Sequence, residues 1–155
     1  MVQKGDKLNL ENLNLINQDG EKILLSDEKY KYLVLYFYPK DMTPGCTIQA
    51  CQIKDNYDFL KSKGILVLGV SKDSQKSHKR FRDTFKLNFD LIIDEDASLS
   101  EYFGVVKEKS MFGRKYKGIN RTTFIIDLSS GEVRDRWDNV DPNKHIDQIK
   151  QYFNL

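Results

Sequence analysis

The chain has 155 residues and a formal net charge of +2, from 25 Lys and Arg against 23 Asp and Glu. That is one domain's length, and the charge is too balanced to point to nucleic acid or an acidic membrane surface. Apolar residues at 39% and charged residues at 31% suit a folded globule, and two Cys with two His cannot build a four-ligand zinc centre or a multi-bridge disulfide scaffold.

Read in chain order, the first signal is Asp19-Gly20 between Leu13-Asn14-Leu15-Ile16 and Ile23-Leu24-Leu25. It predicts an N-terminal β-hairpin. The apolar runs Tyr32–Tyr38, Ile65–Val70, Phe89–Ile93 and Thr122–Ile126 predict four strands. Their unbroken character implies a sheet covered on both faces. The longest of them, Tyr32 to Tyr38, is far too short to span a bilayer. The N-terminus, Met1-Val2-Gln3-Lys4-Gly5-Asp6, carries no apolar export signal. The expected location is therefore the cytoplasm.

A helix is expected from about Cys46 to Lys63. A second follows Ser74 as N-cap, with His78, Phe81 and Phe85 on one face. A short helix from Ser98 to Phe103 should end at Gly104. Lys107 to Lys117, with Lys107, Lys109, Arg114, Lys115 and Lys117, reads as a solvated basic loop, with a docking surface for an acidic reductase as the second reading. Ser129-Ser130-Gly131 turns into a strand over Glu132–Trp137, and Asp141-Pro142 reads as N-cap and first residue of a last helix. His78 is expected to be a half-buried packing residue, His145 to lie near the surface, and Trp137 to pack on the core edge. Neither histidine is assigned to catalysis. The whole chain, residues 1–155, reads as one α/β domain with helices flanking a central mixed sheet.

The chemistry concentrates in Pro39-Lys40-Asp41-Met42-Thr43-Pro44-Gly45-Cys46-Thr47-Ile48-Gln49-Ala50-Cys51, where the first strand hands over to the first long helix. The carboxyl end of a strand is the usual place for a site in such sheets. Cys46 would sit in the first turn, where unpaired N–H groups and the helix dipole favour an anion and so the reactive thiolate. Cys46, Ala50, Ile53, Tyr57 and Leu60 recur at helical spacing, so Cys46 also shares the buried stripe.

Cys51 lies about 140° round the helix from Cys46, and the two Cα atoms are roughly 8.7 Å apart in an intact helix. A disulfide needs less than about 7 Å. Either the two never bond or the helix start unwinds when they do. The plain reading is two small core residues. The other is a redox pair in which Cys46 reacts and Cys51 resolves. Thr43 could hydrogen-bond a polar substrate above the sulfur or be an ordinary loop residue. Pro39 could shield the site or merely end the strand.

Pro39, Thr43 and Cys46 match the P-x-x-x-T-x-x-C signature of peroxiredoxins, and the full run resembles the peroxiredoxin Q, or bacterioferritin comigratory protein, subfamily. Gly69–His78 and Met111–Phe124 resemble the subfamily as well, the latter being the stretch that holds its active-site arginine, here Arg121. Ile53-Lys54-Asp55 departs from the aromatic and Arg-Asp more often found there, and Lys144 replaces a Gly that often precedes His145.

The resemblance implies a thioredoxin-like fold and a thiol peroxidase acting on hydrogen peroxide and organic hydroperoxides. By the same resemblance, Cys46 attacks the O–O bond, Thr43 and Arg121 hold the peroxide oxygens, and Pro39 completes the substrate-binding set. Cys51 then resolves the sulfenic acid as an intramolecular disulfide, and a thioredoxin-type donor reduces it. No metal or organic cofactor, no nucleic acid and no membrane partner is implied, and the subfamily suggests a monomer. Three alternatives stand beside it. One is a one-cysteine peroxidase using an external thiol. Another is a thioredoxin-like dithiol oxidoreductase, which usually needs Cys-x-x-Cys. The third is a non-catalytic holdase on the same fold.

Overall fold

The computed structural model of the protein describes residues 1–26 and 29–155. Its centre is a five-stranded sheet built from β1 (Tyr32–Phe37), β2 (Ile65–Ser71), β3 (Asp90–Ile93), β6 (Thr122–Asp127) and β7 (Val133–Trp137), in the order β3-β2-β1-β6-β7. β1, β2 and β3 run parallel, while β6 is antiparallel to both β1 and β7. Helix α1 (Pro44–Ser62) connects β1 to β2, α2 (Gln75–Phe85) connects β2 to β3, and α3 (Ser98–Phe103) and α4 (His145–Tyr152) follow β3 and β7. The remaining strands, β4 (Val106–Met111) and β5 (Arg114–Ile119), form a separate two-stranded ribbon.

The unbroken apolar runs have the expected cause. Along β1, Leu33, Leu35 and Phe37 enter one buried cluster and Val34, Tyr36 and Tyr38 enter the other. Alternate side chains of a strand point to opposite faces, so both faces must be covered. The second cluster lies under α1, α2 and α4, through Cys46, Ala50, Ile53, Tyr57, Leu60, Phe81, Ile146 and Ile149. The first lies under the N-terminal segment and α3, through Leu13, Leu15, Leu25 and Phe103. Ser74 caps α2 as expected, its Oγ accepting from Ser77 N–H at 3.1 Å.

Three expectations change. The N-terminal hairpin is present as a tight antiparallel turn, with one bridge between Ile16 and Lys22 and backbone bonds Asn17 N–H to Glu21 O and Ile23 N–H to Leu15 O, rather than as two full strands. Asn17 Oδ1 accepts from the N–H groups of Asp19 and Glu21, and residue 17 bridges Ile92, so the turn is also tied to β3.

The basic stretch is not a loop. It forms β4 and β5, joined through Phe112 and Gly113 with φ of 51° and 76°. Two consecutive positive φ values are the signature of the turn whose twist suits a two-stranded ribbon. Finally, α4 starts at His145, not at Pro142. Asp141 instead closes a turn, its carbonyl accepting from Lys144 N–H and its side chain from Asn143 N–H.

Candidate active site

The site forms at the carboxyl end of β1. Tyr38 N–H still bonds Val70 O at 3.0 Å, and the chain then leaves the sheet at Pro39, which is partly buried. Met42 takes a left-handed conformation, φ 65°, to reverse direction into α1. Thr43 is the N-cap and Pro44 opens the helix, where its missing N–H costs nothing. Cys46 therefore lies in the first turn, as the sequence predicts, and is only 2% exposed.

Asp41 anchors this loop. Its carboxylate accepts from Tyr38 Oη at 2.6 Å and Ser77 Oγ at 2.8 Å, and pairs with His78 Nδ1 at 2.7 Å, while its own N–H donates to Asp73 Oδ2 at 2.8 Å. His78 is fully buried, not half-buried, because its Nε2 donates to Ile92 O at 2.8 Å on β3 while Nδ1 faces Asp41. Ring nitrogens with two fixed partners can be buried at low cost. The loop that presents Thr43 and Cys46 is thus pinned to α2 and β3. Thr43 Oγ1 donates to Lys40 O at 2.7 Å, and with its proton so directed the oxygen is left as an acceptor.

Arg121 arrives from far along the chain. Phe37, the last residue of β1, pairs with Thr122, the first residue of β6. The antiparallel register places residue 121 beside the loop that follows β1. Its Nη1 donates to Cys46 Sγ at 3.4 Å and to Gln49 Oε1 at 2.7 Å. A Cβ added at Gly45 would lie 3.4 Å from Arg121 Nη2 and 3.4 Å from Pro142 Cγ, so the guanidinium lies directly over the first turn of α1. A solvated arginine, the expectation for residue type alone, is not what the fold makes of it.

Two residues here escaped the sequence reading. Gln49 is buried, and its Nε2 donates to His145 Nδ1 at 2.9 Å. His145 Nε2 bonds Thr123 Oγ1 at 2.8 Å on β6. His145 is fully buried rather than near the surface, since it opens α4 against α1 and lies between the rings of Tyr36 and Trp137. Its spacing three residues after Cys46 could have flagged Gln49, because i and i+3 share a helix face. No local signal marks His145.

Burial, and secondarily the nearby Arg121 charge, lowers the His145 pKa from 6.5 to about 3. The imidazole is therefore neutral in the folded protein and charged in the unfolded chain below pH 6.5. Protons taken up only by the unfolded state make stability fall as pH drops from about 6.5 toward 3. Urea unfolding at pH 6.5 and 4.5 should show the native protein losing roughly 2–3 kcal/mol more than His145→Asn over that interval. Equal losses would contradict the buried neutral imidazole.

Cys51 is partly exposed on α1, and both cysteines are free thiols. Burial pushes the Cys51 thiol up; Lys54 lowers and Asp55 raises it to a lesser degree. The folded helix thus disfavours the Cys51 thiolate relative to an exposed thiol. Lys109 of β4, its ammonium pushed down chiefly by burial and then by the charges of Arg121 and Lys107, donates to Ile119 O at 2.8 Å near the site. Among the described residues, Asp41, Asp73 and His78 form the one group with metal-ligand chemistry. Each is already engaged in the hydrogen bonds that hold the loop.

The AhpC/TSA family model matches residues 5–136. The chain is 44% identical over 140 residues to peroxiredoxin Bcp of Escherichia coli strain K12, covering 90% of this chain and 89% of that protein. It is 43% identical over 139 residues to peroxiredoxin Bcp of Bacillus subtilis strain 168, covering 90% and 88%. Among solved structures, a cysteine-to-serine mutant of Xylella fastidiosa PrxQ superimposes with TM-score 0.90 at 35% identity, covering 99% of this chain and 96% of that one. The bacterioferritin comigratory protein of Xanthomonas campestris, solved as trapped intermediate and ligand complexes in work on its alkyl peroxide reduction activity, gives 0.87 at 32% identity, covering 99% and 98%.

Proposed function

Since the chain belongs to the AhpC/TSA family and is a thiol peroxidase of its Bcp/peroxiredoxin Q kind, we propose that Cys46 is the peroxidatic residue and Cys51 its resolving partner. The substrate is a hydroperoxide and the electrons come from a thiol reductant. The observation that carries the residue assignment is the Arg121 guanidinium, 3.4 Å from Cys46 Sγ at the N-terminal turn of α1.

In the first step the Cys46 thiolate attacks one oxygen of R–O–O–H. The O–O bond breaks, the sulfur becomes a sulfenic acid, and the other oxygen leaves as RO⁻ and takes a proton to become alcohol or water. Charge builds on the leaving oxygen as the bond stretches. Arg121 supplies fixed N–H donors there, and Thr43 Oγ1, with its proton directed at Lys40, accepts from the peroxide hydroxyl. Donors already in place cost no reorganisation during the reaction.

In the second step the Cys51 thiol condenses with the sulfenic acid, forming a disulfide and releasing water. Ideal α-helix geometry holds the two Cα atoms roughly 8.7 Å apart, so the first turns of α1 must unwind. Unwinding also releases Cys51 from the burial that raises its thiol pKa. A thioredoxin-type dithiol then reduces the disulfide. Both cysteines belong to one helix, which supports a cycle complete within a single chain and a monomeric working unit. Reduced thiols at both positions are what a cytoplasmic location would maintain.

Intact mass tests the assignment. One equivalent of peroxide added to the reduced protein should remove two hydrogens, whereas Cys51→Ser should gain one oxygen. A wild type that gains oxygen and forms no bridge would move the reading to a one-cysteine peroxidase with an external thiol. No mass change in either protein would favour a non-catalytic holdase.

A further inference from the structure

We propose that His145 is a positioning residue that latches Gln49, and through it both Arg121 and the folded start of α1, so that releasing the latch slows attack on peroxide while speeding disulfide formation. The proposal rests on the assignment of Cys46 and Cys51 given above.

The hydrogen bonds fix every polarity in the chain of contacts. An arginine only donates, so Gln49 must turn Oε1 toward Arg121. Its amide nitrogen then points at His145 Nδ1, which must offer a lone pair. The ring proton is therefore on Nε2 and is directed at Thr123 Oγ1. A side-chain amide alone can rotate end for end. With its nitrogen held by His145, Gln49 presents only its carbonyl oxygen to the guanidinium, and Arg121 Nη1 is kept in place beside Cys46 Sγ.

The two ends of this latch belong to different bodies. His145 is on the stationary side: Thr123 tethers it to β6, and α4 buries the adjacent Ile146 and, one turn on, Ile149 in the core. Gln49 is on the moving side, because it lies between Cys46 and Cys51 in the segment that must unwind before the sulfurs can meet. Unwinding withdraws Gln49 from Arg121 and from His145 together. The same two bonds thus support the peroxide step and oppose the resolving step.

The chemistry is unchanged by the latch. Cys46–S⁻ with ROOH gives Cys46–SOH and ROH after one proton is taken up, and Cys46–SOH with Cys51–SH gives the disulfide and water. Only the relative rates move. A residue that merely stabilised the fold would not push two successive steps in opposite directions.

The chain carries a single tryptophan, Trp137, whose ring meets the His145 ring edge-on at 6.5 Å, so its fluorescence reports on the latch. Reduced protein is mixed rapidly with hydrogen peroxide, followed by Trp137 fluorescence, and quenched for mass analysis of the sulfenic acid and disulfide forms. His145→Leu should react with peroxide about tenfold more slowly, through a displaced Arg121, yet form the disulfide severalfold faster. His145→Asn, whose side-chain oxygen can replace the Nδ1 lone pair, should restore much of both rates. Thr123→Val removes only the tether on Nε2; it should show the same pair of changes in smaller degree, and it decides the matter if His145→Leu does not fold. Unchanged rates, or both steps slowed by a common factor, would overturn the latch. A wild type that forms neither product would instead overturn the peroxidase assignment beneath it.

Discussion

Cys46→Ser should consume no hydroperoxide above the buffer rate, a loss of at least about 10⁴-fold, while keeping the native fold. A serine hydroxyl stays protonated where a cysteine gives an anion, and it cannot pass through a sulfenic acid. The substitution is otherwise mild. Cys46 is a small buried residue in the stripe it shares with Ala50 and Ile53, and the N-terminal turn of α1 accepts a hydroxyl as readily as a thiol. The check is peroxide consumption with a dithiol donor, beside circular dichroism and thermal unfolding of the same preparation. Residual turnover within tenfold of wild type would move the reaction to another group, and Cys51 would be the first to examine.

The second large effect is expected at Arg121. Arg121→Met should lower the second-order rate constant for peroxide by about 10² to 10³, the usual consequence of removing one fixed donor from developing negative charge. It also strips Gln49 Oε1 of its donor, so some of the loss is positional. Arg121→Lys should recover little of it. Nη1 alone donates to both Cys46 Sγ and Gln49 Oε1, but it is carried by a planar guanidinium whose Nη2 lies over Gly45, and a lysine ammonium, one bond shorter and without that second nitrogen, cannot take the same place. Rates for hydrogen peroxide and for an alkyl hydroperoxide, measured with both variants, test the point. A lysine variant near wild type would mean that positive charge alone suffices.

Set beside Cys51→Ser, these substitutions separate the steps of the cycle. Removing Cys46 should stop the first step, removing Arg121 should slow it, and removing Cys51 should leave it intact while trapping its product. The His145 variants differ from all three, because they are expected to slow the first step and quicken the next.

Much of the architecture was legible locally. The runs beginning at Tyr32, Ile65, Phe89 and Thr122 became β1, β2, β3 and β6 because a run buried on both faces is written in consecutive residues. Ser74 and Gly104 marked helix ends, since capping is settled within a few residues. The same holds for Cys46, whose place in the first turn of α1 follows from Thr43, Pro44 and the apolar stripe behind it. The β4–β5 ribbon was hidden because its side chains are mostly exposed, which leaves no hydrophobic alternation; its antiparallel backbone pairing, Val106 with Ile119 through Met111 with Arg114, distinguishes it from a loop.

The sequence by itself determined a covered sheet, a helix with a cysteine in its first turn, and a second cysteine that an intact helix keeps out of that one's reach. These depend on burial pattern, capping and helical pitch, which act over a few neighbouring residues. What surrounds the sulfur was decided by tertiary structure. Arg121 reaches Cys46 only because β6 runs antiparallel to β1 with Thr122 opposite Phe37. His145 is buried and neutral only because α4 packs against α1 and β6, and Asp41 and His78 meet only because α2 packs beside the loop after β1. Each contact joins segments far apart in the chain, and no local preference encodes such a meeting. Strand order and register select it, and those are set by the whole core packing at once.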